Sequence, residues 1–116
     1  ARHLKPADFS KKFSGADIAT IDCSFISLHK IIPAALALLR GGGTLVALIK
    51  PQFEATRAEV DKGAGVIKDP AIHQRVISEI KTFVREQPGL EWRGVVESPL
   101  TGPKGNKEFL AWIEKR

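Results

Sequence analysis

Thr44-Leu45-Val46-Ala47-Leu48-Ile49-Lys50 decides the fold. Thr44 to Ile49 is rich in leucine and β-branched residues and has no polar alternation. Such a run reads as a strand buried on both faces, as in a parallel sheet covered by helices. It stops on a lysine. Upstream, Ile18 to Ile21 is a second short apolar run, read as a buried strand, and it stops on Asp22. Between the two, Leu28 to Leu39 places Leu28, Ile31, Ile32, Ala35, Leu36 and Leu39 on one helical face. Pro33 falls in the early turns, where a missing N–H is best tolerated. Arg40-Gly41-Gly42-Gly43 is expected to end this helix, with a basic residue at its negative end and glycines for a left-handed cap. Strand, helix and strand with short links make a right-handed βαβ crossover.

Downstream, residues 51–68 read as a long loop or short helix closing on Gly63-Ala64-Gly65. Asp69-Pro70 pairs an N-cap with a proline at the first helical position. The helix it opens runs to about Gln87, with Ile72, Val76, Ile77, Ile80, Phe83 and Val84 as its apolar stripe. Pro88-Gly89 stops it. Trp92 to Glu97 and Glu108 to Ile113 read as an antiparallel pair joined by Ser98 to Lys107, with both tryptophans in the core. The class is therefore α/β: about four strands, the last one antiparallel, with flanking helices. The Ile18 strand forms an apolar, uncovered edge, which makes self-pairing into a homodimer an expectation. Residues 1–17 are polar and basic and read as a connection. The chain has no methionine, even at position 1, so it is read as part of a longer protein lacking its N-terminal half.

At 116 residues this is one domain at most, and 43% hydrophobic residues suffice only for a small core. No apolar run approaches the ~20 residues of a membrane span, and no signal-peptide pattern opens the chain. The single cysteine, Cys23, excludes an internal disulfide and suits a reducing cytoplasm. No histidine is placed to activate it as a nucleophile. His3, His29 and His73 lack metal-ligand spacing, so no metal is inferred. A net charge of +5 suits a polyanionic partner such as RNA.

In open α/β sheets, ligands bind at the carboxyl ends of parallel strands. Asp22 and Lys50 are placed to share such a crevice. Glu108 joins them only if its strand runs antiparallel, so that its start meets their ends. Acid, amine and acid around one crevice can do proton chemistry. The plainer reading is a strand-end salt bridge between Asp22 and Lys50, with Glu108 as an edge-strand charge. These residues alone do not choose between the two.

Asp22-Cys23-Ser24-Phe25-Ile26-Ser27-Leu28, Leu48-Ile49-Lys50-Pro51-Gln52-Phe53-Glu54 and Thr101-Gly102-Pro103-Lys104-Gly105-Asn106-Lys107-Glu108-Phe109-Leu110 add to this. In combination they resemble the hemolysin-A-type (TlyA-like) ribosomal RNA 2′-O-methyltransferases of the FtsJ-like family. The resemblance covers nearly the whole chain and its order of elements. It implies a partial Rossmann-like sheet with a reversed last strand, S-adenosyl-L-methionine as cofactor, and methyl transfer to a ribose 2′-hydroxyl of ribosomal RNA. The family's catalytic set is two lysines, an aspartate and a glutamate; by motif match Asp22, Lys50 and Glu108 are three of the four. The first lysine, the glycine-rich cofactor loop and a small S4-like RNA-binding domain lie upstream in the family and have no counterpart here. Residues 1–116 are thus expected to be the C-terminal portion of the methyltransferase domain. The resemblance also places Asp22, Cys23 and Ser24 at the cofactor pocket.

A ribose hydroxyl is a weak nucleophile until its proton is removed or shared. A lysine serves as the base only if its pKa falls well below the usual ~10.4, which burial and a second cation promote. A lysine beside two carboxylates with no second cation keeps its proton, so this stretch by itself is expected to be inactive. Phe53 is a candidate for stacking on a target base, and Arg57, Lys104 and Lys107, with Lys62 and Lys68, for phosphate contact. The expected partners are ribosomal RNA or a ribosomal subunit. Two alternatives stay open. Amine methyltransferases carry an (Asn/Asp)-Pro-Pro-aromatic motif where this chain has Asp22-Cys23-Ser24-Phe25, and loss of both prolines argues against amine chemistry. The other alternative is a non-catalytic RNA-binding or self-associating module. A pore-forming protein is poorly supported, since no long amphipathic or apolar membrane segment is present.

Overall fold

The computed structural model describes residues 15–22 and 27–116, apart from the Pro103 side chain. The chain runs β1 (Ala16–Ile21), α1 (Leu28–Leu38), β2 (Leu39–Ile49), α2 (Pro51–Glu54), α3 (Arg57–Lys62), α4 (Pro70–Glu86), β3 (Leu90–Glu97), a 3-10 turn (Pro103–Gly105) and β4 (Phe109–Lys115). The strands form one mixed sheet in the order β1-β2-β4-β3. β1 runs parallel to β2, and β4 runs antiparallel to both β2 and β3. This is the partial Rossmann-like sheet with a reversed last strand that the sequence implied.

The core lies between one face of the sheet and the helices α1 and α4. Leu45, Ala47, Ile49, Ala111 and Ile113 from the sheet meet Leu28, Ile32, Val76, Ile80 and Val84 from the helices. β2 is not buried on both faces. Leu45, Ala47 and Ile49 are fully covered, while Thr44, Val46 and Leu48 stay partly exposed. The described helices cover one side only, so an unbroken apolar run alternates in its environment without alternating in composition. The same asymmetry corrects β1: only Ile21 is buried, and Ile18 is exposed on the edge of the described sheet. Trp92 packs partly against the core, but Trp112 is exposed, with the Arg93 guanidinium 5.4 Å from its ring centroid. One of the two tryptophans is therefore not a core residue.

The end of α1 differs from the glycine cap expected there. The helix stops at Leu38, and Leu39 is already extended as the first, buried residue of β2. The cation at the negative helix end comes from β4: Lys115 Nζ donates to Leu36 O at 3.0 Å and Leu39 O at 2.6 Å. Arg40 instead pairs with Asp17 of β1. Between the pairings Ala16–Leu39 and Ile18–Thr44 the register jumps, so residues 40–43 bulge out of the ladder. Gly42 takes the bend, at φ +81°.

Residues 51–68 contain two short helices. Thr56 caps α3 in a reciprocal box with Glu59, and Asp69 caps α4 by accepting from Ala71 N, with Pro70 in the first turn as the sequence predicts. Glu59 also ties α3 to α4 through Arg75, whose Nη1 and Nη2 donate at 2.6 and 2.5 Å. The Arg75 guanidinium, helped by the Thr56 backbone N–H, draws the Glu59 carboxyl down to about 2 from its ordinary 4.5.

Two outcomes are expected. A carboxyl titration followed by NMR should give Glu59 a midpoint near 2, returning toward 4.5 in Arg75→Gln. The fold holds the carboxylate form, so the pair's stabilisation is complete above 4.5 and fades as pH falls toward 2. The stability gap between wild type and Arg75→Gln should close in that same direction. Separately, Asp69→Ala should lower stability in urea by about 1 kcal/mol through loss of the α4 cap.

Candidate active site

Strand register brings three sequence positions to one end of the sheet. β1 ends with Ile21 beside Ala47, so Asp22 emerges where β2 is about to stop. β2 and β4 pair through Ile49 and Phe109 in antiparallel register, which sets Lys50 opposite Glu108. The antiparallel condition placed on Glu108 is thereby met. Asp22 and Lys50 are in direct contact, Nζ to Oδ1 at 2.5 Å. The Asp22 side chain is 68% exposed and that of Lys50 only 12%, so the pair stands at the rim of the sheet end with its amine turned inward.

Glu108 is 7% exposed. A buried carboxylate needs donors, and Gln52 supplies one, Nε2 to Oε2 at 3.1 Å. The Gln52 Oε1 atom is itself buried and finds no hydrogen-bond partner among the described residues. The loop before β4 is built around this carboxylate. A side-chain carbon at Gly102 would lie 2.2 Å from Glu108 Oε2, so only glycine leaves the carboxylate its place. The Glu108 carbonyl accepts from Ser98 N at 2.8 Å, which fixes the base of the loop.

Asn106 holds the loop's far side. Its Oδ1 accepts from Ile67 N at 2.9 Å, its Nδ2 donates to Gly65 O at 3.0 Å, and its own carbonyl accepts from Gly102 N at 2.7 Å. The loop is thus pinned to the connection between α3 and α4. Of the residues expected to meet RNA, Phe53 is partly buried in α2. The Arg57 side chain is 95% exposed at the start of α3, with Asp61 3.9 Å away. Lys104 Nζ donates to Ala64 O at 3.3 Å, and Lys107 Nζ lies 3.7 Å from Glu97. These side chains are spread over α2, α3 and the loop, and the three cations each have a partner within the chain. Cys23 and Ser24 lie outside the described residues. Among the described residues, no group of three or more His, Cys, Asp or Glu could hold a metal ion, and no helix is long and apolar enough to cross a membrane.

A model of the FtsJ-like methyltransferases matches residues 1–115. The chain belongs to this family. "Putative rRNA methyltransferase YqxC" of Bacillus subtilis is 44% identical over 109 residues, covering 94% of this chain and 37% of that protein. TlyA of Mycobacterium tuberculosis, named a 16S/23S rRNA (cytidine-2′-O)-methyltransferase, is 37% identical over 115 residues, covering 97% of this chain and 40% of TlyA. The solved structure of a "putative hemolysin" from Lactococcus lactis superimposes with a TM-score of 0.86 at 40% identity, over 97% of this chain and 52% of that one. The FtsJ-like chain therefore spans 37–40% of the length of YqxC and TlyA.

Sequence reasoning gave Gln52, Glu54, Gly102 and Asn106 no individual role, although all four sit inside the quoted segments. The available signal was a set of polar residues and glycines packed into short turns around two charged positions. The Gly102 contact makes a sharp prediction. Gly102→Ala should destabilise the protein by about 1–3 kcal/mol, as overpacking does. In a Glu108→Ala background the same change should cost far less, and a chemical-denaturation cycle should show strong non-additivity. Additive effects would mean that Gly102 and Glu108 do not compete for that space.

Proposed function

We propose that this FtsJ-like chain supplies the acceptor-activating part of a methyltransferase site, with S-adenosyl-L-methionine as donor and a ribose 2′-hydroxyl of ribosomal RNA as acceptor. Asp22, Lys50 and Glu108 are the proposed catalytic residues. The observation that carries the reading is their convergence at one sheet end, with Lys50 bonded to Asp22 and Glu108 buried opposite it in register. Family membership and the 2′-O activity in the name of TlyA support it.

The donor set fits the cofactor's charge. Two carboxylates against one ammonium suit a cationic sulfonium, and Asp22, with Cys23 and Ser24, is proposed to hold it. When bound, the cofactor supplies an electrophilic methyl group. The chain's own residues handle the acceptor. As the 2′-oxygen takes the methyl it loses its proton, which passes to Lys50 Nζ in its amine form. Asp22 fixes the direction of that nitrogen, and Glu108 acts from behind it in a poorly solvated position, where charge is felt more strongly than in water. Phe53, Arg57, Lys104 and Lys107 are the proposed contacts to RNA within a ribosomal subunit or its precursor in the cytoplasm. Arg57, whose side chain is 95% exposed, is open to phosphate. The family's first lysine has no match in residues 1–116, so these residues alone are proposed to be inactive.

The test is methyl transfer from labelled S-adenosylmethionine to ribosomal RNA by the full-length protein that carries these residues. Label should appear in alkali-resistant dinucleotides. Lys50→Ala should reduce the rate by about 10²–10⁴-fold, the range for loss of a general base. Lys50→Arg should not restore it, because a guanidinium cannot accept the proton. Label on a base, or transfer unchanged in Lys50→Ala, overturns the mechanism in favour of another acceptor. RNA binding with no transfer at all leaves a non-catalytic binding module.

A further inference from the structure

Ile67, in the connection between α3 and α4, is held through both of its backbone polar groups by side chains from other parts of the chain. Its N–H donates to Asn106 Oδ1 at 2.9 Å, and its carbonyl accepts from His73 Nε2 of α4 at 2.7 Å. Asn106 and His73 are both buried. Both also lead back to Glu108. The His73 ring stands edge-on to Phe109, the residue after Glu108, with ring centroids 5.5 Å apart. Asn106 lies just upstream of Glu108, and its carbonyl takes the Gly102 N–H, which lays Gly102 against the Glu108 carboxylate. Backbone bonds close this turn, from Gly102 N to Asn106 O and from Gly105 N to Gly102 O. The Asn106 amide reaches out of it, to Gly65 and Ile67, and fixes where the closed turn stands. Within the turn Lys104 sits at φ +58°, and Ala64, whose carbonyl accepts from Lys104 Nζ, sits at φ +53°. Residues other than glycine seldom take this left-handed conformation, and it persists where the surroundings impose it.

We propose that Asn106 is a positioning residue for Glu108: its amide seats the turn 102–106 on the Gly65–Ile67 backbone, and the seated turn holds the Glu108 carboxylate against Gln52, at the sheet end opposite Lys50. This rests on the methyltransferase function proposed above. His73 anchors the seat from α4. A carboxylate that acts through its charge must stand in a fixed place to stabilise charge that develops in the reaction. A displacement of about 1 Å at a reacting centre costs up to ~10²-fold in rate.

The experiment measures methyl transfer to ribosomal RNA by the full-length protein that carries these residues, beside Asn106→Ala, Glu108→Gln, the double variant and Val84→Ala. Asn106→Ala should lower kcat about 10–100-fold and leave KM for S-adenosylmethionine unchanged. Glu108→Gln already removes the charge, so adding Asn106→Ala to it should cost kcat little more. Val84→Ala opens the core near the far end of α4, and should lower stability while leaving kcat alone. A wild-type kcat in Asn106→Ala, an equal loss in Val84→Ala, or a full further loss in the double variant overturns the proposal. If Asn106→Ala does not fold, Asn106→Asp takes its place: it still accepts from Ile67 N but has no N–H for Gly65 O, so kcat should fall, and an unchanged kcat overturns the proposal. A wild-type protein that methylates no RNA overturns the function proposed above instead. The placement of Glu108 is then read directly by NMR: the Gln52 side-chain amide signal, set by its bond to Glu108, should move in Asn106→Ala and stay in Val84→Ala. A Gln52 signal unmoved in Asn106→Ala overturns the proposal.

Discussion

Pro51 is the constraint on which the sheet end depends. It has no N–H to give a ladder, and its ring fixes φ in the helical range. β2 therefore pairs with β4 only as far as Ile49 and Phe109, and the chain turns at once into α2 with Pro51 in the first turn. Pro51 is fully buried, so this turn cannot drift outward. A strand that continued past Ile49 would line Lys50, Gln52 and Glu54 along one face of the sheet. One helical turn instead fans them out: Lys50 reaches Asp22, Gln52 reaches Glu108, and Glu54 reaches Ser27 and Leu28. Three separate parts of the chain are thereby referred to a single five-residue stretch.

Much of this was legible in the sequence because it rests on periodicity and on residues with strong local preferences. α4 follows from Asp69-Pro70 and a clean apolar stripe, and the antiparallel β3–β4 pair follows from two short apolar runs. The meeting of Asp22 with Lys50 followed from topology, since both end parallel neighbours. The failures have two sources: a tertiary partner replaced the local one, or the coverage of a face was not written in composition. Arg40-Gly41-Gly42-Gly43 looks like a helix stop, yet Lys115, distant in sequence, serves the carbonyls at the end of α1 and frees Arg40 for Asp17. β2 looks buried on both sides because composition records the apolar side chains and not which face the helices cover.

The supporting residues of the site were illegible for a different reason. Gln52 and Glu54 carry no pattern that distinguishes them from surface residues of a short helix. Their roles come from bonds to positions 56 and 26–27 residues away in sequence. Gly102 shows the same limit from the opposite side. Its φ needs no glycine, so no turn rule selects it; the Glu108 carboxylate occupying the space beside it does. Asn106, buried and bonded through its side chain to Gly65 and Ile67, is a loop residue whose value lies wholly in what it joins.

The three charged groups are also graded by burial, and the grading bears on how such a site works. Asp22 is largely in water, Lys50 is mostly covered, and Glu108 is almost fully covered. Charge interactions are strongly damped in water and much less so in a protein interior. Of the two carboxylates, Glu108 therefore holds the stronger fixed field at the sheet end, while Asp22 is the one a solute can approach. Under the proposed chemistry this divides the labour. The methyl donor is held on the Asp22 side, Lys50 stands between the wet and the dry carboxylate, and Glu108 acts without being touched. Glu108 keeps its place through the Gln52 donor and the bare Gly102 together, so the Lys50–Glu54 and Thr101–Glu108 segments form one structural unit.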